Sequence, residues 1–167
     1  MITLLAKILK ILNSDDSPAQ IALAIVLAAI VGLTPLMSVH NIALIFLVLI
    51  IRISLPMFII SFGIFSILAF MLDPLSQQLG LLLLQAESLQ ALWTEFYQSS
   101  FWRLLAYNNT LVLGSFCLSL ILSPVIYFVS LHIVKQYREQ LMSWVTQTRL
   151  MVWLKSGKVF NAYQSLQ

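Results

Sequence analysis

Residues 19–51 run for 33 positions without a Lys, Arg, Asp or Glu, and Pro35 stands at their middle. As one straight helix the run would reach roughly 49 Å, against a bilayer hydrocarbon core of about 30 Å. Proline lacks a backbone donor and clashes with the preceding helical turn, so Thr34-Pro35 divides the run into two pieces, each roughly 23 Å long. The expectation is a helical hairpin, either re-entrant or crossing fully twice. A polar residue before proline, set between aliphatics, returns at Leu72-Asp73-Pro74-Leu75 and at Leu122-Ser123-Pro124-Val125. Backbone groups freed at membrane depth need protein or water to satisfy them, and broken helices are where membrane proteins tend to build binding sites.

Composition agrees with a membrane setting. The 167 residues are 60% hydrophobic and 9% charged, with mean hydropathy +0.96, whereas soluble domains carry roughly 25% charged residues. The expected fold class is an all-α integral membrane protein: a Pro-broken helical hairpin plus further transmembrane helices, flanked by amphipathic interfacial helices. The net charge of +3 comes largely from Lys and Arg near the two ends. No basic groove interleaved with aromatics accompanies it, so nucleic acid is excluded as a partner. The single cysteine, Cys117, lies in an apolar run, where no intrachain disulfide can form and zinc-ligand spacing is absent. Neither a metal nor a cofactor is expected. Lys7 and Lys10 precede the first apolar run as in a secretory signal, but Asp15 and Asp16 intervene and Gly32-Leu33-Thr34-Pro35 is a poor cleavage region. An uncleaved first membrane segment is expected.

Organisation follows from periodicity and punctuation. In residues 1–17, Thr3, Lys7, Lys10 and Ser14 recur at helical spacing opposite Ile2, Leu5, Ile8, Leu9 and Leu12, which predicts an amphipathic helix on the membrane surface. Ser17-Pro18 then supplies an N-cap and a first helical residue. The membrane domain covers 18–134. Within it we expect the hairpin at 18–52, a span at 53–72 closed by Asp73-Pro74, and a short apolar segment at 75–84. Interfacial helices follow at 86–107, broken near Ser99-Ser100, and a final span at 110–134, capped by Asn109 or Thr110 and kinked at Pro124. Trp93, Tyr97, Trp102 and Tyr107 are side chains that favour the headgroup level. Residues 135–167 form a basic amphipathic tail.

Charge sets the topology. If the hairpin begins and ends on one side, Lys7, Lys10, Arg52, Lys135, Arg138, Arg149, Lys155 and Lys158 share that side, and only Arg103 lies opposite. The positive-inside rule prefers this arrangement, with both termini cytoplasmic in a bacterial inner membrane.

Candidate functional or structural turn residues gather at the interruptions: Gly32, Thr34, Pro35, His40 and Asn41 at the first, Asp73 and Pro74 at the second, and Arg52 at a predicted boundary. A buried histidine could shuttle protons or hold a ligand; a polar residue in a first helical turn can equally satisfy freed backbone groups. Asp73 is an ionisable group beside a break, yet it could equally be a solvated turn residue. Arg52 is better read as a topology anchor than as an anion ligand. No Gly-rich phosphate loop, HExxH, GxSxG or paired-acid constellation is present, so no catalytic residues are assigned and no enzyme is expected.

The region of about residues 30–80 resembles an uncharacterised family of small bacterial inner-membrane proteins. The residues that carry the resemblance are Gly32-Leu33-Thr34-Pro35, His40, Arg52-Ile53-Ser54, Asp73-Pro74-Leu75-Ser76 and Leu79-Gly80. That family has a Gly-x-x-Pro turn, a His or Gln at the next helix start, an Arg-x-Asn element and an Asn-Pro-Leu-Thr turn. Ser54 and Asp73 stand where it often has Asn. A neutral amide at the second turn implies capping there rather than a proton relay, since Asn and Asp share that ability. The resemblance implies an architecture and no activity.

The leading expectation is a non-enzymatic accessory or scaffold subunit that binds membrane lipids or a larger envelope protein. The alternative is a small oligomeric transporter or channel component using broken helices at Pro35 and Pro74.

Overall fold

The computed structural model describes residues 16–147, and the described residues are entirely helical apart from their connections. The helix expected over 1–17 and the end of the basic tail lie outside them. Six α-helices follow in order: α1 (Pro18–Leu33), α2 (Val39–Ile50), α3 (Leu55–Gln85), α4 (Gln90–Gln98), α5 (Ser100–Leu104) and α6 (Thr110–Gln147), with a 3-10 turn (Glu87–Leu89) before α4.

The first helix starts where its sequence supplies both halves of a capping box. Gln20 N–H donates to Ser17 Oγ at 3.2 Å, Ser17 N–H donates to Gln20 Oε1 at 2.7 Å, and Pro18 occupies a position whose N–H would have no partner. Eleven of the 16 residues of α1 are buried, which makes it the centre of the molecule. It packs against both α3 and α6, and those two pack against each other. Small side chains allow the close approach. At Gly32 an added Cβ would come within 2.9 Å of Phe65 Cβ.

The contact between α3 and α6 is closer still. An added Cβ at Gly80 would sit 1.9 Å from the Thr110 carbonyl oxygen, and one at Gly114 would sit 1.7 Å from that of Ser76. Gly80 thus meets Thr110 while Ser76 meets Gly114, which sets the helices antiparallel through paired small-x-x-x-small faces. Ser115 and Ser119 are fully buried beyond this contact, and Ser119 and Ser123 return their hydroxyls to the backbone of Phe116 and Ser119 at 2.8 and 2.7 Å.

Two prolines lie inside helices. α3 runs unbroken through Pro74, so the expected division into a span at 53–72 and a separate piece at 75–84 does not occur. The lost N–H costs one bond, to Phe70, but Ser76 and Gly80 beyond it must stay helical to seat on α6. Neighbouring helices can hold a proline-containing helix together in this way. α6 likewise continues through Pro124 and past residue 134.

Arg138 Nη2 donates to the Asp16 carbonyl at 2.6 Å, so the start of α1 lies beside the later part of α6. Combined with the antiparallel pairing, this puts Asp16, the 51–54 connection and Arg138 at one end of the bundle. α4, α5 and the turn before α6 occupy the other. Asn109 Oδ1 caps α6 by accepting from Leu111 and Val112 N–H at 2.9 and 3.3 Å. Two helices, Leu55–Gln85 and Thr110–Gln140, are long and apolar enough to cross a membrane.

Candidate functional site

The break between α1 and α2 is a closed hydrogen-bond cluster. Thr34 leaves the helix with extended backbone (φ −100°, ψ 154°). Pro35 has no N–H to offer Val31, the carbonyl four residues earlier. The side-chain amide of Asn41 takes that place: its Nδ2 donates to Val31 O at 3.2 Å and to Pro35 O at 3.1 Å, with Thr34 O at 3.5 Å. Three carbonyls around one nitrogen fix the orientation of the amide, leaving Oδ1 as acceptor. The Thr34 hydroxyl lies 2.8 Å from both Ile30 O and Asn41 Oδ1, so its single proton is shared between two acceptors. Asn41 is fully buried and Thr34 nearly so.

His40 points the other way around the turn. Its Nε2 is 3.0 Å from Ser38 Oγ, while Nδ1 is buried without a hydrogen-bond partner. The ring lies against Phe116 with centroids 4.8 Å apart and against Tyr107 at 6.0 Å, and these two rings stack on each other at 5.6 Å. The hairpin tip is thereby joined to the start of α6. Burial pushes the Tyr107 phenol above its usual value, with Cys117 adding a smaller push, so the hydroxyl stays protonated and remains a donor.

The other sequence candidates are dispersed. Gly32 is helical, and its missing side chain serves the contact with α3 rather than the turn. Arg52 is exposed in the connection between α2 and α3, remote from His40. Asp73 and Pro74 line a shallow cleft with Gln77, Asn109 and Thr110. Among the described residues, no group of His, Cys, Asp or Glu could hold a metal ion.

Sequence reasoning did not foresee two features. One is the paired Ser76/Gly80 and Thr110/Gly114 contact, whose signal is small residues four apart on two apolar helices. The other is a cleft at the end of the bundle away from Arg138, lined by Trp93, Phe96, Trp102 and Arg103.

A buried α1 held between two long apolar helices, with a polar cluster sealing its broken end, defines an all-helical protein compatible with a membrane. A family model for uncharacterised proteins conserved in bacteria, DUF2062, matches residues 3–142, and the chain belongs to that family. No curated protein and no solved structure matches it.

Proposed function

We propose that this chain is a multi-pass protein of the bacterial inner membrane with both termini cytoplasmic, acting without catalysis as an accessory or scaffold subunit that binds lipid or a larger envelope partner. The observation that carries this reading is the apolar surface its own fold leaves uncovered. On α2, Leu49 and Ile50 are 68% and 80% exposed, and on α3, Phe70 and Met71 are 80% and 75% exposed. Large apolar side chains exposed in such number are costly in water, whereas hydrocarbon or a neighbouring helix covers them. The polar groups nearest the break support the same reading, because Asn41 and Thr34 are already committed to backbone carbonyls. Charge supports the orientation: Arg52, Lys135 and Arg138 lie toward one end and Arg103 at the other.

Extraction in mild detergent, followed by crosslinking and lipid analysis, tests the proposal. Retained lipid or a crosslinked larger membrane protein is the expected result. A strictly monomeric protein with neither would overturn it.

One observation favours the alternative of a small oligomeric transporter or channel component. The buried, unpartnered Nδ1 of His40 is an open acceptor or proton site at a broken helix. The reading has lost one of its two breaks, because Pro74 sits within an unbroken helix. Altered ion or solute flux in reconstituted vesicles on His40→Ala or Asp73→Asn would favour it, and no flux under any imposed gradient would remove it.

A further inference from the structure

The end of the bundle away from Arg138 carries a concavity formed by the last turn of α3, α4, α5 and the turn before α6. Its lining includes Trp93, Phe96, Tyr97, Trp102, Arg103 and Tyr107. The walls are braced. Phe96 and Trp102 stack at 4.5 Å with ring planes 7° apart, Trp93 meets Phe96 edge-on at 6.1 Å, and Trp93 Nε1 donates to Leu83 O at 3.0 Å, tying α4 back to α3.

The polar side chains at this cleft can donate, and Arg103 alone among them carries a charge. Arg103 uses Nη2 to donate to Ser100 Oγ at 3.0 Å, and among the described residues it has no carboxylate partner. A guanidinium has five N–H donors in a planar fork, so most remain available. The Tyr107 hydroxyl and the Asn108 amide stand on the same lining. Arg103 is also the sole Lys or Arg between Arg52 and Lys135 in the sequence. A braced aromatic wall beside an unpaired guanidinium is complementary to a ligand with an anionic, acceptor-rich head and an apolar body. Tryptophan and tyrosine at the headgroup level place such a head within reach of a bilayer lipid.

We propose that this cleft holds the phosphate headgroup of a membrane glycerophospholipid, with Arg103 binding the phosphate and the stacked Phe96 and Trp102 rings packing against the glycerol and first acyl carbons. This rests on the lipid-binding reading above and gives it a location and a headgroup chemistry.

Native mass spectrometry of the full chain in detergent tests it, titrating palmitoyl-oleoyl phosphatidylglycerol against the diacylglycerol with the same chains, oleate and inorganic phosphate. The phosphatidylglycerol should be retained about tenfold more tightly than the diacylglycerol, the scale of a charge-assisted contact. Arg103→Gln should abolish that preference, Arg103→Lys should keep part of it, and Lys135→Gln at the other end should leave it intact. Helicity by circular dichroism should be unchanged in all three, since each replaced side chain is exposed. If wild type prefers phosphatidylglycerol but Arg103→Gln does so equally, the site is wrong while lipid binding stands. If wild type retains no lipid, the phosphate site and lipid binding both fall, and only the envelope-partner form of the proposed function stands. Equal retention of oleate, or full displacement by inorganic phosphate at matching concentration, overturns the phospholipid assignment.

Discussion

Asn41 does for the backbone at Val31 what residue 35 would do if it were not proline. One buried amide serves two carbonyls within 3.2 Å, and its oxygen takes part of the Thr34 proton. Removing the amide leaves those carbonyls without a donor in an apolar interior, where each unsatisfied group costs about 1–3 kcal/mol. Asn41→Ala should therefore lower stability in detergent by about 2–6 kcal/mol, from two such losses, read as a fall in unfolding midpoint. Thr34→Val should cost about 1–3 kcal/mol, because it leaves the buried Asn41 Oδ1 without a donor and takes a side-chain donor from Ile30 O. The two variants share one network, so their combined effect should fall short of the sum by at least about 0.5 kcal/mol. Additive losses would show that the residues act independently. The polar character of this turn can be read from the sequence, since Thr34, Ser38, His40 and Asn41 interrupt an otherwise apolar run. The division of labour cannot: adjacent residues 40 and 41 point to opposite sides of the turn, one to the α6 aromatics and the other into the end of α1. That choice depends on Tyr107 and Phe116, which lie some seventy residues away in the chain.

At the level of helices, the decisive contact is made by glycines rather than by the prolines that punctuate the sequence. Gly80→Ala and Gly114→Ala each place a methyl group inside the backbone of the facing helix, at 1.9 and 1.7 Å from a carbonyl oxygen. No rotamer can relieve a clash with backbone, so α3 and α6 must separate, at a cost of about 1–3 kcal/mol or more per site. Gly63→Ala is the internal control. Nothing lies within 4 Å of its added Cβ, and alanine in a helix interior gains about 1 kcal/mol over glycine. The first two variants should lower the unfolding midpoint and the third should raise it slightly; a fall in all three would show sensitivity to any change rather than to the contact. Proline is a local rule, with one lost hydrogen bond and one clash, and it predicts a break at Pro74 only if no neighbour holds the helix on both sides. Here Ser76 and Gly80 do so through α6. The break at Pro35 survives because the residues after it, Leu36 and Met37, are exposed at 54% and 95% and pack on nothing that would keep them helical. The same residue type thus gives opposite outcomes, and the difference is tertiary.

For the molecule as a whole, the antiparallel register of α3 and α6 and the bond from Arg138 to the Asp16 carbonyl together decide which connections share an end. The hairpin returns the chain to its starting end before α3 begins, so the 51–54 connection and the later part of α6 lie together, and α5 lies opposite. Arg52 and Lys135 fall at the end that Arg138 marks, and Arg103 stands alone at the other. Had α1 and α2 formed a single crossing, Arg52 would lie at the end away from Asp16, although α3 would still separate it from Arg103. The two arrangements are separated by labelling single cysteines in a Cys117→Ser background with a membrane-impermeant maleimide, in intact cells and after permeabilisation. Arg103→Cys should react in intact cells, whereas Ser17→Cys and Arg52→Cys should react only after permeabilisation. All three substituted side chains are exposed, so failure to label reports the side of the membrane rather than burial. Reaction of Ser17→Cys and Arg52→Cys under different conditions would remove the hairpin from the topology, whereas reaction of Arg52→Cys and Arg103→Cys under the same condition would remove the crossing by α3. In that second case the phosphate site would face the same leaflet as Arg52.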